Sequence, residues 1–147
     1  MGDDLFGTIK SRSINGDYGE YYNLGRIEWE YLFNLRPKHA NLYRIGVTVE
    51  GVGNCLIIAP DDFVGEIATN YATEAEVTSA GLVCLPPAGV RNGTSINTDA
   101  GVPSFYWTGA PGSQIAYGDA FYPMMNIEFT STFDRSNGCP VRLVQGM

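Results

Sequence analysis

The sequence predicts an α+β domain of two short helices, a β-hairpin, a long loop region and several late short strands. Three observations predict it. Apolar residues recur at helical spacing over 27–35, and a capping pattern opens a second helical segment at Thr73. Strict alternation over 43–49 is followed by a continuous apolar run, Cys55 to Ala59, which is the pattern of a hairpin. Residues 86–103 are rich in Pro, Gly, Asn, Ser and Thr, and short apolar segments follow them.

Residues 1–26 read as irregular, with turn signals at Asn15-Gly16-Asp17 and Leu24-Gly25. The first helix is expected from about Ile27 to Leu35. Ile27, Tyr31, Leu32 and Leu35 form its apolar face, Glu28 and Glu30 suit the positive end of its dipole, and Pro37 stops it. Trp29, Tyr31 and Phe33 read as core packing rather than a ligand platform. In the hairpin, Tyr43, Ile45, Val47 and Val49 alternate with polar residues and glycine. The turn is Glu50 to Asn54, the return strand is central, and Pro60-Asp61-Asp62 ends it. Thr73 and Glu76 make a T-x-x-E capping box, and Gly81 is a natural stop. Leu82 to Leu85 is a strand closed by Pro86-Pro87. The long loop is expected to be an ordered excursion. Strands are then expected at Phe105–Thr108, Ala116–Tyr122, Met125–Phe129 and Val141–Gln145.

The chain has 147 residues, enough for one domain, 1–147, with a real core. Hydrophobic residues make up 44% and charged residues 17%, which fits a folded chain rather than a disordered one. The net charge of -7, with no basic stripe, argues against nucleic acid and against an anionic membrane surface. No run of apolar residues is long enough to span a bilayer, so no membrane insertion is expected. The segment Met1 to Gly7 is acidic and does not resemble a leader; an exported form would have lost its leader or belong to a longer precursor.

Little in the sequence supports catalysis. The three cysteines, Cys55, Cys84 and Cys139, are too few for a disulfide framework; one bridge stays open, and sequence does not choose the pair. One histidine, His39, and no CxxC cannot readily supply a zinc site. Adjacent Asp61 and Asp62 point apart at a strand end, so a solvated turn suits them better than a shared acid–base site. Gly51-Val52-Gly53 lacks the context of a phosphate loop. No catalytic residue, metal or cofactor is expected.

Several segments resemble the Fibrobacter succinogenes major paralogous domain family of bacterial surface proteins. They are Asp4-Leu5-Phe6-Gly7, Glu28 to Asn34, and Leu56 to Phe63. Ala80 to Gly93 is close to the family pattern AGAVFLPAAGYRxG. Tyr106-Trp107-Thr108 and Arg135 to Val144 resemble YWSST and RxxGxxVRxV. Many relatives carry a further strand-forming stretch before the Asp4–Gly7 segment, which leaves the edge of the first sheet open. The resemblance implies a C-type-lectin-like fold, with two helices flanking small antiparallel sheets and a long loop region.

The same fold occurs in variable proteins of diversity-generating retroelements, whose C-terminal third carries mutable surface positions. Tyr106 to Asn137 resembles that region, framed by Trp107, Arg135, Gly138 and Val141. Relatives show Asn, Ser and Tyr where this chain has Tyr122-Pro123-Met124-Met125-Asn126. Glu-Pro-Asn, Gln-Pro-Asp and Trp-Asn-Asp, which bind calcium and sugar in the wider lectin class, are absent.

The exposed ligand-binding candidates are Ser113, Gln114, Tyr117, Asp119, Tyr122, Met124, Asn126, Ser136 and Asn137. Tyr, Ser and Asn offer large, adaptable contact area at modest entropy cost. The alternative is that these are ordinary surface and strand residues. Trp107 reads as core, Arg91 as a loop clamp, and Arg135 and Arg142 as holders of loops, with Arg142 in a strand.

The resemblance therefore implies a non-enzymatic recognition module. It would be extracellular, displayed on a bacterial surface, pilus tip or phage particle, and would bind a host or bacterial surface protein or a glycan. Two other readings are a structural module of a pilus or fibre, and an enzyme related to the formylglycine-generating enzymes. The latter use paired cysteines that have no counterpart beside Cys139.

Overall fold

A computed structural model describes residues 11–12, 18–97, 105–114, 116–123 and 126–145. The Asp4–Gly7 segment, the turn at Asn15–Asp17, residues 98–104, Met124 and Met125 lie outside them.

The architecture is mixed α+β, mostly short strands in small sheets with few short helices. A four-stranded sheet forms the centre. Its strands are β3 (Tyr43–Val49), β4 (Gly53–Ile58), β5 (Asn70–Tyr71) and β6 (Val83–Leu85), in the order β5-β3-β4-β6. All neighbours are antiparallel except β3 and β5, which run parallel. A three-stranded sheet joins β1 (Ser11–Arg12), β2 (Tyr18–Asn23) and β13 (Leu143–Gln145). β2 lies in the stretch expected to be irregular: its pairing with β13, far along the chain, leaves no local periodic signal.

β4 is buried on both faces, which is why it reads as a continuous apolar run. Cys55 and Ile57 pack with Val47, Val49 and Val77 in one core, while Leu56 and Ile58 pack with Trp29, Phe33 and Phe121 in another. β3 serves both cores because Gly46, at φ +75°, is an extra residue in its ladder. The bulge reverses the alternation. Tyr43 and Ile45 reach the Trp29 core, whereas Val47 and Val49 reach the other. Strict alternation in the sequence places all four on one face.

The first helix runs as α1 (Arg26–Glu30) and continues as a π-helical turn, Tyr31–Leu35. The Glu28 carboxylate accepts the Gly25 N–H at 2.7 Å, and the Arg36 N–H reaches the Tyr31 carbonyl at 3.0 Å, five residues back. The expected apolar face is corrected. Trp29 and Phe33 are buried and stacked, with ring centroids 5.7 Å apart, while Ile27, Tyr31 and Leu35 are exposed. Both stripes have helical spacing, and the larger rings fill the space beside Phe121.

Arg36 follows the helix and is only 2% exposed. Its guanidinium donates to the Ala59 carbonyl at 2.7 Å, the Leu42 carbonyl at 2.8 Å and the Asp61 carboxylate at 3.1 Å. His39 Nδ1 lies 3.2 Å from the Arg36 carbonyl. These contacts make Asp61 part of a structural clamp.

α2 (Glu74–Ser79) has its N-cap at Thr73, whose hydroxyl accepts the Glu76 N–H at 3.2 Å. It ends at Gly81, φ +72°, with the Leu82 N–H closing on the Val77 carbonyl. The long-loop region contains a hairpin, β7 (Val90–Asn92) and β8 (Ser95–Asn97), around Gly93 at φ +58°. β7 also pairs with β12 (Asn137–Gly138), so this excursion is tied to the C-terminal region. Gly138 accommodates that approach: a Cβ there would lie 3.1 Å from the Arg91 Cβ.

Candidate functional site

The C-terminal sheet has the order β11-β10-β9, formed by β9 (Tyr106–Pro111), β10 (Tyr117–Pro123) and β11 (Ile127–Asp134). Its inner face contributes Tyr106, Phe121 and Phe129 to the Trp29 core. Another aromatic group joins Phe105, Trp107, Tyr122 and Phe133. Phe105 stacks on Phe133 at 4.3 Å, and Trp107 meets Phe133 edge-on at 5.6 Å. Trp107 is half-buried rather than core, and lies over Gly118, where a Cβ would meet its ring at 2.5 Å. The stacking covers ring faces, so this group is a packed cluster rather than a flat platform.

Both ladders of β10 slip between Gly118 and Ala120. Asp119 sits at this double irregularity and is corrected as an exposed candidate, because it is 1% exposed. One carboxylate oxygen accepts from Arg26 at 3.0 Å and the other from the Thr108 hydroxyl at 2.9 Å. Burial pushes the Asp119 pKa up, opposed by Thr108 and Arg26. Arg26 also pairs with Glu30 at 2.7 Å and lies over the Phe129 ring. Asp119 thus ties the first helix to the C-terminal sheet. A bulge aims it inward, and no local pattern marks that.

The remaining described candidates divide into two groups. Ser113 and Gln114 are exposed in the β9–β10 connection, and Tyr117 is half-buried at the start of β10. Ser136 is exposed and Asn137 half-buried just beyond β11, beside the β7–β8 hairpin. Main-chain bonds hold this end together: Tyr117 N–H to the Gln114 carbonyl, Ser113 N–H to the Ser131 carbonyl, and Arg135 N–H to the Ala116 carbonyl. The Arg135 guanidinium donates to the Tyr117 carbonyl at 2.6 Å. The Ser136 N–H donates to Asp134 at 2.8 Å, which lowers the Asp134 pKa.

Tyr122 and Asn126 are at the other end of β10, Tyr122 lying roughly 16 Å from Tyr117 along the strand. The Tyr122 hydroxyl donates to Glu128 at 2.6 Å, and this bond raises the Tyr122 pKa. The exposed hairpin residues Arg91, Asn92 and Thr94 adjoin the first group and carry no sequence signal as contact residues. Their proximity comes from β7–β12 pairing, which is not visible locally. Arg142 is exposed and precedes β13, outside the strand expected to hold it.

A separate open cleft of about 530 Å³ lies between residues 40–44 and 65–67, with Arg44 and Glu66 on its walls. The Arg44 guanidinium donates to the Ile67 carbonyl at 3.0 Å. Among the described residues no group of three or more His, Cys, Asp or Glu side chains converges on a metal position. No helix among them is long and apolar enough to cross a membrane.

Burial raises all three thiol pKa values, Cys55 and Cys139 to about 12. The thiolate is the reactive form. All three cysteines should therefore label much more slowly with a disulfide reagent in the native state than in denaturant. Fast native labelling of any one would revive cysteine chemistry. No family model, curated protein or solved structure matches the chain.

Proposed function

We propose that this chain is a non-enzymatic, C-type-lectin-like recognition module of the Fibrobacter succinogenes major paralogous domain kind. It binds a surface protein or glycan without an obligatory metal or cofactor. Its setting is extracellular: a bacterial surface, pilus tip or phage particle, where it serves as a variable protein of a diversity-generating retroelement. The carrying observation is the gathering of Ser113, Gln114, Tyr117, Ser136 and Asn137 at one end of the C-terminal sheet, beside the β7–β8 hairpin. Main-chain bonds and Arg135 fix the backbone there, and polar and aromatic side chains remain accessible. A rigid frame with adaptable side chains suits recognition.

The test is a binding screen on a glycan array and a panel of extracellular proteins, with and without calcium. A reproducible, calcium-independent hit is expected. Replacing Gln114, Tyr117 and Ser136 together by alanine should weaken that hit by at least about tenfold. Replacing Tyr122 and Asn126 should have the smaller effect. The reverse ranking would move the site to the other end of β10, and equal binding by both variants would remove it from this sheet.

A structural or assembly role is the second reading. The observation favouring it is the exposed apolar stripe on the first helix.

A further inference from the structure

We infer that Cys55 and Cys84 form an intrachain disulfide across the central sheet, and that Cys139 stays outside it. Strand register makes the choice of pair that the sequence leaves open. The pairing goes beyond the recognition reading and does not depend on it. The extracellular setting proposed above is one in which such a bond persists.

Cys84 lies directly opposite Ile57 in the β4–β6 ladder. Cys55 is two residues from Ile57 on β4, so it projects from the same face of the sheet. The two cysteines are therefore diagonal neighbours across adjacent antiparallel strands. Both pack in one core with Val77 of α2 and Leu82. Burial raises both thiol pKa values; the hydrogen bond between the two thiols raises that of Cys55 further and opposes the rise at Cys84. Cys139, by contrast, follows β12, which pairs with β7 in another sheet. Its thiol is shifted by burial alone, with no contribution from either of the others.

A disulfide needs Cα atoms within about 7 Å, and a diagonal pair lies near that limit. β6 is able to shift and meet it. It has only 3 residues, stands at the end of the strand order, and pairs with β4 alone among the described residues. The oxidant is a small disulfide such as glutathione disulfide. Cys84, 6% exposed against 1% for Cys55, is the first to react. Its thiol loses a proton and attacks one glutathione sulfur, and the other glutathione leaves as a thiolate. The Cys55 thiolate then attacks the Cys84 sulfur and releases the second glutathione. Two protein thiols are oxidised to one disulfide, and one glutathione disulfide is reduced to two thiols. Burial disfavours both protein thiolates in the folded chain, so the exchange runs mainly while the chain folds. The bond closes a loop of about 30 residues and so restricts the unfolded chain. That loop carries β5 and α2.

The test refolds the whole reduced chain in buffers of graded reduced-to-oxidised glutathione ratio. Each sample is quenched with acid, its remaining thiols are alkylated, and its peptides are mapped by mass spectrometry. The expected product has lost two hydrogen atoms and joins the Cys55 and Cys84 peptides, with Cys139 either alkylated or capped by glutathione. The same titration in concentrated urea gives the equilibrium constant of the bond in the unfolded chain. The constant under refolding conditions should be at least about tenfold larger, because the fold holds the two thiols together. The oxidised chain should also unfold at a higher urea concentration than the reduced one. Cys139→Ser should form the bond to the same extent as the wild type. A cross-link that includes Cys139, or no intrachain bond at any ratio, would overturn the inference. A constant no larger than that in urea would do the same, because the strands would then hold the thiols out of bonding geometry.

Discussion

Replacing Arg36 by methionine is expected to lower the unfolding free energy by about 3 kcal/mol, whereas Asp61→Asn should cost under about 1 kcal/mol. The contrast follows from what each partner loses. The Arg36 guanidinium is buried and grips two main-chain carbonyls, of Ala59 and Leu42. Leu42 retains another donor, the Ala59 N–H at 2.8 Å. The Ala59 carbonyl would lose its charged donor inside the protein, and an unsatisfied buried acceptor costs about 1–3 kcal/mol. Methionine replaces much of the aliphatic volume, which limits the added cost of a cavity. Asp61 is 65% exposed and rehydrates when the pair is broken. Denaturant titration of both variants separates the two contributions. Equal losses would mean that the ion pair, not the carbonyl grip, holds the corner between the first helix and the end of β4.

Phe121→Ala is expected to cost about 3–5 kcal/mol, and Phe121→Leu less than about 1.5 kcal/mol. The Phe121 ring is fully buried and is the hub of the second core. Its centroid lies 4.7 Å from Trp29, 5.4 Å from Tyr106, 5.5 Å from Phe33 and 5.9 Å from Phe129. Truncation would open a cavity bordered by rigid rings, which relax poorly into the gap. The hub joins the N-terminal helix to the C-terminal sheet, so its loss should also loosen the sheet that carries the candidate residues. Urea unfolding followed by tryptophan fluorescence measures the cost, because Trp29 is a direct neighbour. A loss below about 1 kcal/mol would show that the two halves of the core do not depend on this ring.

Much of the element order is legible in the sequence where a local physical signal exists. The hairpin of β3 and β4, the Thr73 cap, the Gly81 stop and the short strand before Pro86 each depend on residues a few positions apart. The continuous apolar run at Cys55 to Ala59 discloses a strand covered on both faces, because no polar alternation could survive there. Wherever two local patterns compete, sequence has no means of ranking them. The first helix has two apolar rows at helical spacing, and packing against Phe121 decides that Trp29 and Phe33 go in. Gly46 reads as the polar-side member of an alternating strand, yet its left-handed backbone inserts a bulge and divides β3 between two cores.

The candidate site follows the same division. The resemblance, not composition, singles out the C-terminal third, whose Tyr, Ser and Asn residues suit a contact surface. Long-range pairing decides which of those residues share a place. It sends Tyr117 and Tyr122 to opposite ends of β10, a double slip in the ladders turns Asp119 into the interior, and β7–β12 pairing brings Asn92 beside Asn137. Caps, stops, turns and the wholly apolar strands are written into the chain itself, since each depends on neighbours a few residues away. Which face is inside, where the buried Arg36 and Asp119 find partners, and which side chains meet at one end of a sheet depend on contacts between distant segments, whose energies no local pattern records.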